Sequence, residues 1–409
     1  MDIDRRTLFG AATLPLAAGP LQARTRVGDW DAVARSYATT REVIQLEHGN
    51  WGAMALPVLA AYRDMVARVN RDTSYYARRA MIGDLEAIRE RLAAAMGVAP
   101  EEIALTRNAT EALKALILQY NRLKPGDAVL YADLDYDAMQ GCMESLRARR
   151  GVQVIRIALP EPATREGLVQ AYEAAFTANP AIRLALLTHV SHRTGLVLPV
   201  ADIARMARAR GIDVVVDAAH SVGQLDFLLP DLQADFIGFN LHKWIGAPLG
   251  VAALYIRRDR IGAIDPDPAE PPGSPDTAAR VHTGTVDYAA QLTLPAALDF
   301  QQAIGGSARE ARLKALRDRW VRPLRSHPGV QILTPDDPDL YGAITSFRLR
   351  GRTSREDNAA LASTLLEKHR IFAVRRDGLA SGSCVRITPA LATHLADLDR
   401  LVEAIRAIA

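Results

Sequence analysis

The sequence predicts an α/β protein in which helices cover both faces of a parallel sheet, followed by a smaller α+β unit. Three observations support this prediction. Between residues 102 and 256, short apolar runs of strand type alternate with segments whose apolar residues recur at helical spacing. Beyond a Pro- and Gly-rich loop at Asp265–Asp276, long helical patterns precede short strand patterns. The 409 residues, 49% of them hydrophobic, are enough to bury a large core and a further unit.

The large unit is predicted from elements that alternate along the chain. Its strands are expected at Glu102–Thr106, Ala128–Ala132, Val152–Ile157, Ile182–His189, Val214–Asp217 and Gly250–Ile256. Its helices are expected at Ile82–Met96, Thr110–Tyr120, Ala138–Arg149, Leu168–Phe176 and Val200–Arg210. In the first of these helices, Leu85, Ile88, Leu92 and Ala95 recur at helical spacing. Alternation of this kind predicts parallel strands joined by crossover helices.

The remaining segments lie on either side of this unit. Trp30–Ala60 is expected to be an arm and loop, and no internal repeat is found. C-terminal helices are expected at Ala289–Ile304, Ala308–Leu324, Glu356–Lys368 and Leu395–Ile408, and strands at Ile344–Leu349, Ile371–Val374 and Val385–Ile387. The predicted division is a signal at 1–23, an N-terminal arm at 24–60, a large domain at 61–300 and a small domain at 301–409.

The amino terminus resembles a twin-arginine export signal. Arg5 and Arg6 precede a charge-free stretch at Leu8–Ala18, and cleavage is expected after about Ala23. The alternative is an unstructured start that happens to contain two arginines. The stretch is too short to span a bilayer, so we expect a periplasmic protein without stable membrane insertion, exported by the twin-arginine machinery.

The composition excludes some classes of function. The net charge is only +3 and is spread along the chain, which does not indicate nucleic-acid binding. The basic segments Arg147–Arg150 and Arg375-Arg376 are interpreted as solvated ends of helices or strands. Cys142 on a helix and Cys384 at a strand start are not expected to form a disulfide.

One pair of motifs points to a specific chemistry. The apolar run Val214–Val216 ends in Asp217, which predicts a carboxylate at the carboxyl end of a buried strand. Lys243 follows, ahead of the apolar strand Gly250–Ile256. An acid that holds a pyridinium nitrogen and a lysine that forms a Schiff base are what pyridoxal phosphate (PLP) chemistry requires. Taken singly, Asp217 could be a cap or an ion-pair partner, and Lys243 an exposed lysine.

The strand ending in Asp217 and the segment His242–Gly250 around Lys243 resemble the class V aminotransferase family. The dipeptide Asn240-Leu241 stands where the family often has small residues, and this departure fits its isopenicillin N epimerase-like branch. The resemblance implies the fold-type I PLP-dependent transferase architecture. Its large domain has a mostly parallel seven-stranded sheet, and its small C-terminal domain is α+β.

The resemblance also implies the catalytic residues and the contacts to the cofactor ring. Asp217 would pair with the pyridine nitrogen, His220 would touch the 3-hydroxyl, and Lys243 would hold the aldehyde carbon. Tyr136 stands where the family stacks a ring on the cofactor. The alternative for His220 is a histidine at a helix start that is satisfied by backbone, and a tyrosine at a loop-to-helix junction is commonplace.

A phosphate site is implied at the turn between the strand Glu102–Thr106 and the following helix. Ala109 would contribute its backbone N–H, Thr110 its hydroxyl, and His242 a further contact. Thr285 resembles the residue that a partner subunit lends to this phosphate, which implies a homodimer. The alternative for the turn is simple N-capping by Asn108 or Thr110.

On the substrate side, the resemblance assigns Arg386 to a carboxylate and Asn50 to a loop that closes over the substrate. Arg79 is a further candidate from a dimer interface, or else a surface charge. Ser191 and His192 close a strand at the same edge of the sheet and are candidate contacts that the sequence does not rank.

The expected activity is PLP-dependent chemistry at the α-carbon of an amino acid or a peptide-borne amino group, of epimerase or aminotransferase type. Lys243 would be the base for the α-proton. Together with the export signal, the branch suggests tailoring of an exported peptide such as a siderophore.

Two alternatives remain. The first is a C–S lyase or cysteine desulfurase-like enzyme that uses Cys384, and the second is a non-catalytic exported binding protein on the same fold. Dinucleotide, nucleotide, zinc and serine-hydrolase motifs are absent from the sequence, and no metal site is expected.

Overall fold

The strands predicted between residues 102 and 256 form one sheet in the computed structural model, which describes residues 29–409. The expected signal at 1–23 lies outside the described residues. The strands are β1 (Ile44–Gln45), β2 (Ile103–Thr106), β3 (Ala128–Ala132), β4 (Gln153–Ile157), β5 (Ile182–Thr188), β6 (Asp213–Asp217), β7 (Phe236–Asn240), β8 (Ala252–Ile256), β9 (Val330–Ile332), β10 (Thr345–Leu349), β11 (Ile371–Phe372), β12 (Val374–Arg376) and β13 (Cys384–Ile387). The helices are α1 (Trp30–Arg35), α2 (Leu56–Ala77), α3 (Met81–Met96), α4 (Ala109–Leu118), α5 (Asp137–Arg150), α6 (Arg165–Ala178), α7 (Val200–Arg208), α8 (Tyr288–Leu292), α9 (Leu294–Ile304), α10 (Gly306–Arg325), α11 (Arg355–His369) and α12 (Leu395–Ile408).

The large sheet has seven strands in the order β2-β8-β7-β6-β5-β3-β4. All neighbours pair in parallel except those of β8, which is antiparallel to both β2 and β7. The expected mostly parallel seven-stranded sheet is therefore confirmed. The carboxyl ends of β3, β5, β6 and β7 share one edge of this sheet, where ligands bind in open α/β folds.

Burial on both faces explains why these strands are continuous apolar runs. Val214 and Val216 of β6 pack on the face covered by α3, α6 and α7, while Val215 packs on the face covered by α4 and α5. All three valines are at most 1% exposed. The predicted alternation of strands and helices is thus correct, with boundaries that differ by at most three residues.

The small unit is an antiparallel sheet in the order β12-β13-β10-β9, covered by α10, α11 and α12. Its core includes Trp320 and Phe347, whose rings meet edge to face with centroids 5.9 Å apart. Val33, Ile44 and Leu46 of the N-terminal segment belong to the same core, and β1 pairs in parallel with β11. The N-terminal segment therefore packs with the small unit.

Several expectations about secondary structure are wrong. Trp30–Ala60 is not only arm and loop, because α1 lies within it and α2 begins there at Leu56, with Pro57 in its first turn. The whole of α2 escaped the sequence analysis, and only Val58 and Tyr76 of its residues are buried.

Three differences concern strands. β7 was missed because Gly238 interrupts its apolar pattern, although Leu113 of α4 packs where a side chain would lie. β9 was missed as well. The expected strand Ile371–Val374 is divided at Ala373, and its two halves pair with β1 and β13.

Among residues 29–409, no helix has both the length and the apolarity needed to cross a membrane. In the same range, no group of three or more His, Cys, Asp or Glu side chains is arranged to bind a metal ion.

The large and small units are joined by a close backbone contact at Gly195. This residue has φ of +77°, and a Cβ added to it would lie 1.9 Å from the carbonyl oxygen of Ile344. Gln224 adds a second contact: its Nε2 donates to the carbonyl of His220 at 2.5 Å, and its Oε1 accepts from the N–H of Ala343 at 2.7 Å.

We expect Gly195→Ala to lower the free energy of unfolding by about 3 kcal/mol or more, because the added methyl group overlaps backbone and φ is positive. Gly211→Ala is the matched control, since Gly211 has φ of +70° and open space around it. Its loss should be about 1 kcal/mol. Urea denaturation measures both changes, and equal losses would contradict the close contact.

Candidate active site

The candidate site lies at the carboxyl edge of the large sheet, where the small unit faces it. Asp217 is the last residue of β6, and Lys243 lies in the turn between β7 and β8. Arg376 of β12 and Arg386 of β13 come from the small unit. Glu47 comes from the N-terminal segment, where it forms a bridge beside Thr388.

The N-terminal loop packs directly on the lysine turn. The N–H of Gly52 donates to the carbonyl of His242 at 2.9 Å. A Cβ at Gly52 would lie 1.9 Å from the carbonyl oxygen of Lys243, so only glycine permits this approach. The loop thus packs on the backbone of the lysine turn, where the Lys243 side chain is partly buried.

Burial determines the protonation of Lys243. Removal from water lowers its pKa to about 8, and the positive charge of Arg386 acts in the same direction, while Asp217 and Glu47 oppose it. The Lys243 Nζ lies 3.1 Å from Nε2 of His220. Burial keeps the pKa of His220 well below its usual range, so the imidazole is neutral. A neutral ring next to Lys243 can accept or donate a proton according to its tautomer.

Asp217 is a buried carboxylate that forms no ion pair with a side chain of residues 29–409. Its Oδ1 accepts the N–H of Ala219 at 2.9 Å, and its burial raises the pKa of the carboxyl group, although Lys243 lowers it. A protonated ring nitrogen would supply the missing partner. In addition, His220 Nδ1 is buried without a hydrogen-bond partner among the described residues. These groups fit the ring of PLP.

The expected phosphate turn precedes α4, but its N–H groups are partly engaged. Asn108 is the N-cap and accepts from the N–H of Glu111 at 2.8 Å. The N–H of Ala109 donates to Oδ1 of Asn240 at 2.8 Å, so a phosphate contact would have to replace this bond. Thr110 is partly exposed in the first turn of the helix.

His242 is less suited to the phosphate than the sequence suggested. Its Nδ1 lies 3.1 Å from the carbonyl oxygen of Val251, and burial lowers its pKa to about 4. A neutral ring that donates from Nδ1 has only an acceptor at Nε2. A bond from His242 to a phosphate oxygen would therefore require the ring to gain a proton.

Tyr136 and His192 meet at the same edge of the sheet. Their rings are perpendicular, with centroids 5.2 Å apart, and Tyr136 is 40% exposed just before α5. Burial and Arg193 hold the pKa of His192 well below its usual range. Ser191, by contrast, accepts the N–H groups of Arg193 and Thr194, at 3.2 and 3.4 Å, and so stabilises its own turn.

Arg386 is buried and already bonded on two sides. Its Nη1 donates to the carbonyl of His192 at 2.7 Å, and its Nη2 donates to Oε1 of Glu47 at 2.5 Å. Sequence reasoning did not single out Glu47, because it lies 339 residues from Arg386 in the chain.

The expectation that Arg375 and Arg376 are both solvated is wrong, because their side chains are partly buried, 26% and 29% exposed. The pairing of β12 with β13 puts Arg376 opposite Cys384, and therefore on the same face as Arg386. Burial and the nearby Arg386 lower the pKa of Arg376 to about 10. The sequence does show that Cys384 and Arg386 lie on one face of their strand. Adding Arg376 to that face required the register between β12 and β13.

Three candidates lie on the surface of the single chain. Asn50 is exposed on its loop, and Thr285 is exposed ahead of α8. Arg79 is exposed with its guanidinium over the ring of Tyr75, 4.9 Å from the centroid. None of the three contacts Lys243 in this chain, and the homodimer that would bring Thr285 and Arg79 to a site stays a prediction.

Neither cysteine has the features of a nucleophile. Cys384 is buried, its Sγ lies 3.8 Å from the carbonyl oxygen of Arg193, and burial raises its pKa to about 11. Cys142 is half-buried on α5, and both cysteines are free. A thiolate at Cys384 is therefore disfavoured.

Comparison with known proteins identifies the family. The family model "Aminotransferase class-V" matches residues 57–401. The chain belongs to the class V aminotransferase family. It is similar to the isopenicillin N epimerase of Streptomyces clavuligerus, with 32% identity over 400 residues that cover 93% of this chain and 99% of the relative. It is also similar to the putative L-cysteine desulfhydrase 1 of Oryza sativa subsp. japonica, with 31% identity over 295 residues that cover 65% of this chain and 59% of the relative.

Solved structures share the fold of this class V protein. The cystine C-S lyase C-DES, in complex with its reaction product cysteine persulfide, has a TM-score of 0.77 and 24% identity, covering 89% of this chain and 97% of that chain. The cysteine desulfurase CsdA of Escherichia coli has a TM-score of 0.78 and 20% identity, and the match covers 93% of this chain and 98% of that chain. The expected fold type I is thereby confirmed.

The class V chain is a PLP-dependent enzyme, which sets aside the non-catalytic alternative. When bound, PLP draws electrons from the carbon that carries the substrate's amino group. Among the chain's own residues, Lys243 would hold the cofactor and exchange protons, and Asp217 would hold the ring nitrogen; His220 contacts the Lys243 amine.

The pKa of Lys243 can be tested on the apoenzyme. Capture of added PLP requires the neutral amine, so its rate should rise with pH with a midpoint near pH 8. Removing a positive charge raises the pKa of Lys243, so Arg386→Gln should move this midpoint upward. Stopped-flow absorbance measures the rate, and Lys243→Ala is the blank. A midpoint above pH 10 would contradict the effect of burial.

Proposed function

We propose that this PLP-dependent enzyme acts at the α-carbon of an amino acid or a peptide-borne amino group, with an epimerase- or aminotransferase-type outcome. The observation that carries the proposal is the contact between Lys243, whose amine has a lowered pKa, and His220, 3.1 Å apart, beside the buried Asp217. A lysine with a pKa of about 8 is suited to both removing and returning a proton near neutral pH.

His220 extends this proton exchange. It is neutral, its Nε2 contacts the amine, and its Nδ1 is without a partner among the described residues. A proton taken by Lys243 can therefore be shared with the ring. His192, also a buried neutral imidazole in contact with Tyr136, is the other candidate for moving a proton at this site.

The proposed substrate is part of an exported peptide, such as a siderophore. Two observations support it: the twin-arginine pattern at Arg5 and Arg6, and the similarity to isopenicillin N epimerase over nearly the whole chain. The twin-arginine route carries folded proteins, which suits an enzyme that takes up its cofactor before export.

A C–S lyase is the second candidate function. It is supported by the similarity to L-cysteine desulfhydrases of Oryza sativa and Arabidopsis thaliana. Elimination of sulfide after loss of the α-proton needs only Lys243 as base. The burial of Cys384 argues against a persulfide relay through the chain's own cysteines, but it does not argue against direct elimination.

One experiment separates these functions. The PLP-loaded enzyme is incubated in D2O with amino acids and with secreted peptides, and mass spectrometry measures deuterium at the α-carbon. Chiral chromatography, keto-acid and sulfide assays then identify the outcome. We expect exchange on a peptide substrate, reduced at least about 100-fold in Lys243→Ala. Sulfide release from cysteine without exchange on any peptide would favour the lyase, and the absence of both would contradict the proposal.

The export proposal has its own test. The double substitution of Arg5→Lys with Arg6→Lys should retain the protein in the cytoplasm, because the twin-arginine pair is the feature read by the export machinery. The matched control is Arg24→Lys with Arg26→Lys, which lies beyond the expected cleavage position. Cell fractionation and immunoblotting measure the distribution. Equal distribution of the two variants would overturn the signal.

A further inference from the structure

A charge cluster, formed by Glu47, Arg376 and Arg386, stands where a substrate carboxylate is expected. Glu47 and Arg386 are 7% and 1% exposed, and the side chain of Arg376 is 29% exposed. Oε1 of Glu47 lies 2.5 Å from Nη2 of Arg386 and 3.8 Å from Nη2 of Arg376. One carboxylate of the chain itself therefore lies between the two guanidinium groups.

This arrangement puts Glu47 in competition with the substrate. Arg386 can bind a substrate carboxylate in a forked geometry, but one of its terminal nitrogens already donates to Glu47 and the other to the carbonyl of His192. Two carboxylates on one buried guanidinium repel each other. A substrate carboxylate at Arg386 therefore requires Glu47 to leave.

Only the side chain of Glu47 is free to move, because its neighbours are fixed by backbone hydrogen bonds. The N–H of Leu46 donates to the carbonyl of Phe372 at 3.0 Å, and the N–H of Thr388 donates to the carbonyl of Leu46 at 2.8 Å. On the other side, the N–H of His48 donates to the carbonyl of Thr388 at 3.4 Å.

Arg376 offers the displaced carboxylate a second partner. Nε of Arg376 and Oε2 of Glu47 are both buried without a hydrogen-bond partner among residues 29–409. A rotation of the Glu47 side chain toward Arg376 would pair these two groups and release Arg386. The net charge of Glu47, Arg376 and Arg386 together is unchanged by this movement.

We propose that Glu47 is a two-position counter-ion that makes the enzyme discriminate against small free amino acids. It moves from Arg386 to Arg376 when a substrate carboxylate binds, and this deepens the proposed function because it assumes a substrate whose reacting carbon carries a carboxylate. Breaking the Glu47–Arg386 pair weakens binding of any carboxylate. A peptide that bears such an amino acid offsets the loss through contacts elsewhere, whereas a free amino acid does not.

The first test uses inert probes with the PLP-loaded enzyme. Propionate carries the carboxylate and propionamide is its neutral counterpart; neither has an amino group, and calorimetry measures the affinity of each. Glu47→Gln should strengthen propionate binding roughly tenfold or more and leave propionamide unchanged, because only the carboxylate competes with Glu47. Glu42→Gln, an exposed glutamate of the same segment, is the matched control and should change neither affinity.

The second test addresses Arg376. Arg376→Gln removes the second partner, so it should weaken propionate binding when Glu47 is present and have little effect in the Glu47→Gln background. Arg375→Gln is the control, since Arg375 pairs with Asp377 at 3.1 Å. An equal loss in both backgrounds would mean that Arg376 binds the carboxylate directly, and would overturn the exchange of partners.

Weaker or unchanged propionate binding in Glu47→Gln would overturn the proposal, because Glu47 would then position Arg386 rather than compete for it. Glu47→Asp shortens the side chain by one methylene group and should strengthen propionate binding by a smaller factor than Glu47→Gln does. It replaces Glu47→Gln in this test if the glutamine variant does not fold. These measurements need no turnover. Failure of the α-carbon exchange experiment with success here would reject the proposed function alone.

Discussion

The desolvation of Lys243 is the constraint on which the rest of the site depends. It lowers the pKa of the amine to about 8, and Gly52 lets the N-terminal loop pack backbone against backbone on the lysine turn. The same burial makes the neighbouring imidazoles neutral and leaves Asp217 in need of a cation. Protonation states at this edge of the sheet are thus set together, by one desolvated environment, rather than by separate pairs of residues.

Polar groups that lack partners are concentrated in this environment. The atoms that are buried here without hydrogen bonds among the described residues include Nδ1 of His220, Nδ1 of His192, Oε2 of Glu47 and Nε of Arg386. Such groups are costly unless they meet a ligand. Their arrangement, with the imidazoles on the side of the large unit and with Glu47 and the guanidinium groups on the side of the small unit, fits the cofactor on one side and the proposed carboxylate-bearing substrate on the other.

The sequence predicted the parts of the site that are local in the chain. Asp217 and Lys243 each follow or precede a buried strand, and strand ends are readable from apolar runs. Glu47 and Arg376 could not be found in this way, because β1–β11 and β12–β13 pairing brings them to Arg386 from distant positions. α2 and β7 were missed because tertiary packing decides their structure. Few residues of α2 are buried, and β7 has a central glycine, so neither segment is distinctive in the sequence alone.

The path of the N-terminal segment has a mechanical consequence. Its residues Val33, Ile44 and Leu46 lie in the core of the small unit, whereas Gly52 is bonded to the lysine turn of the large unit. The described chain passes between the units here and again where α9 leads into α10. These two crossings define a hinge axis between the units. Rotation about that axis would carry Glu47, Arg376 and Arg386 as one rigid group, changing their separation from Lys243 while keeping their mutual distances.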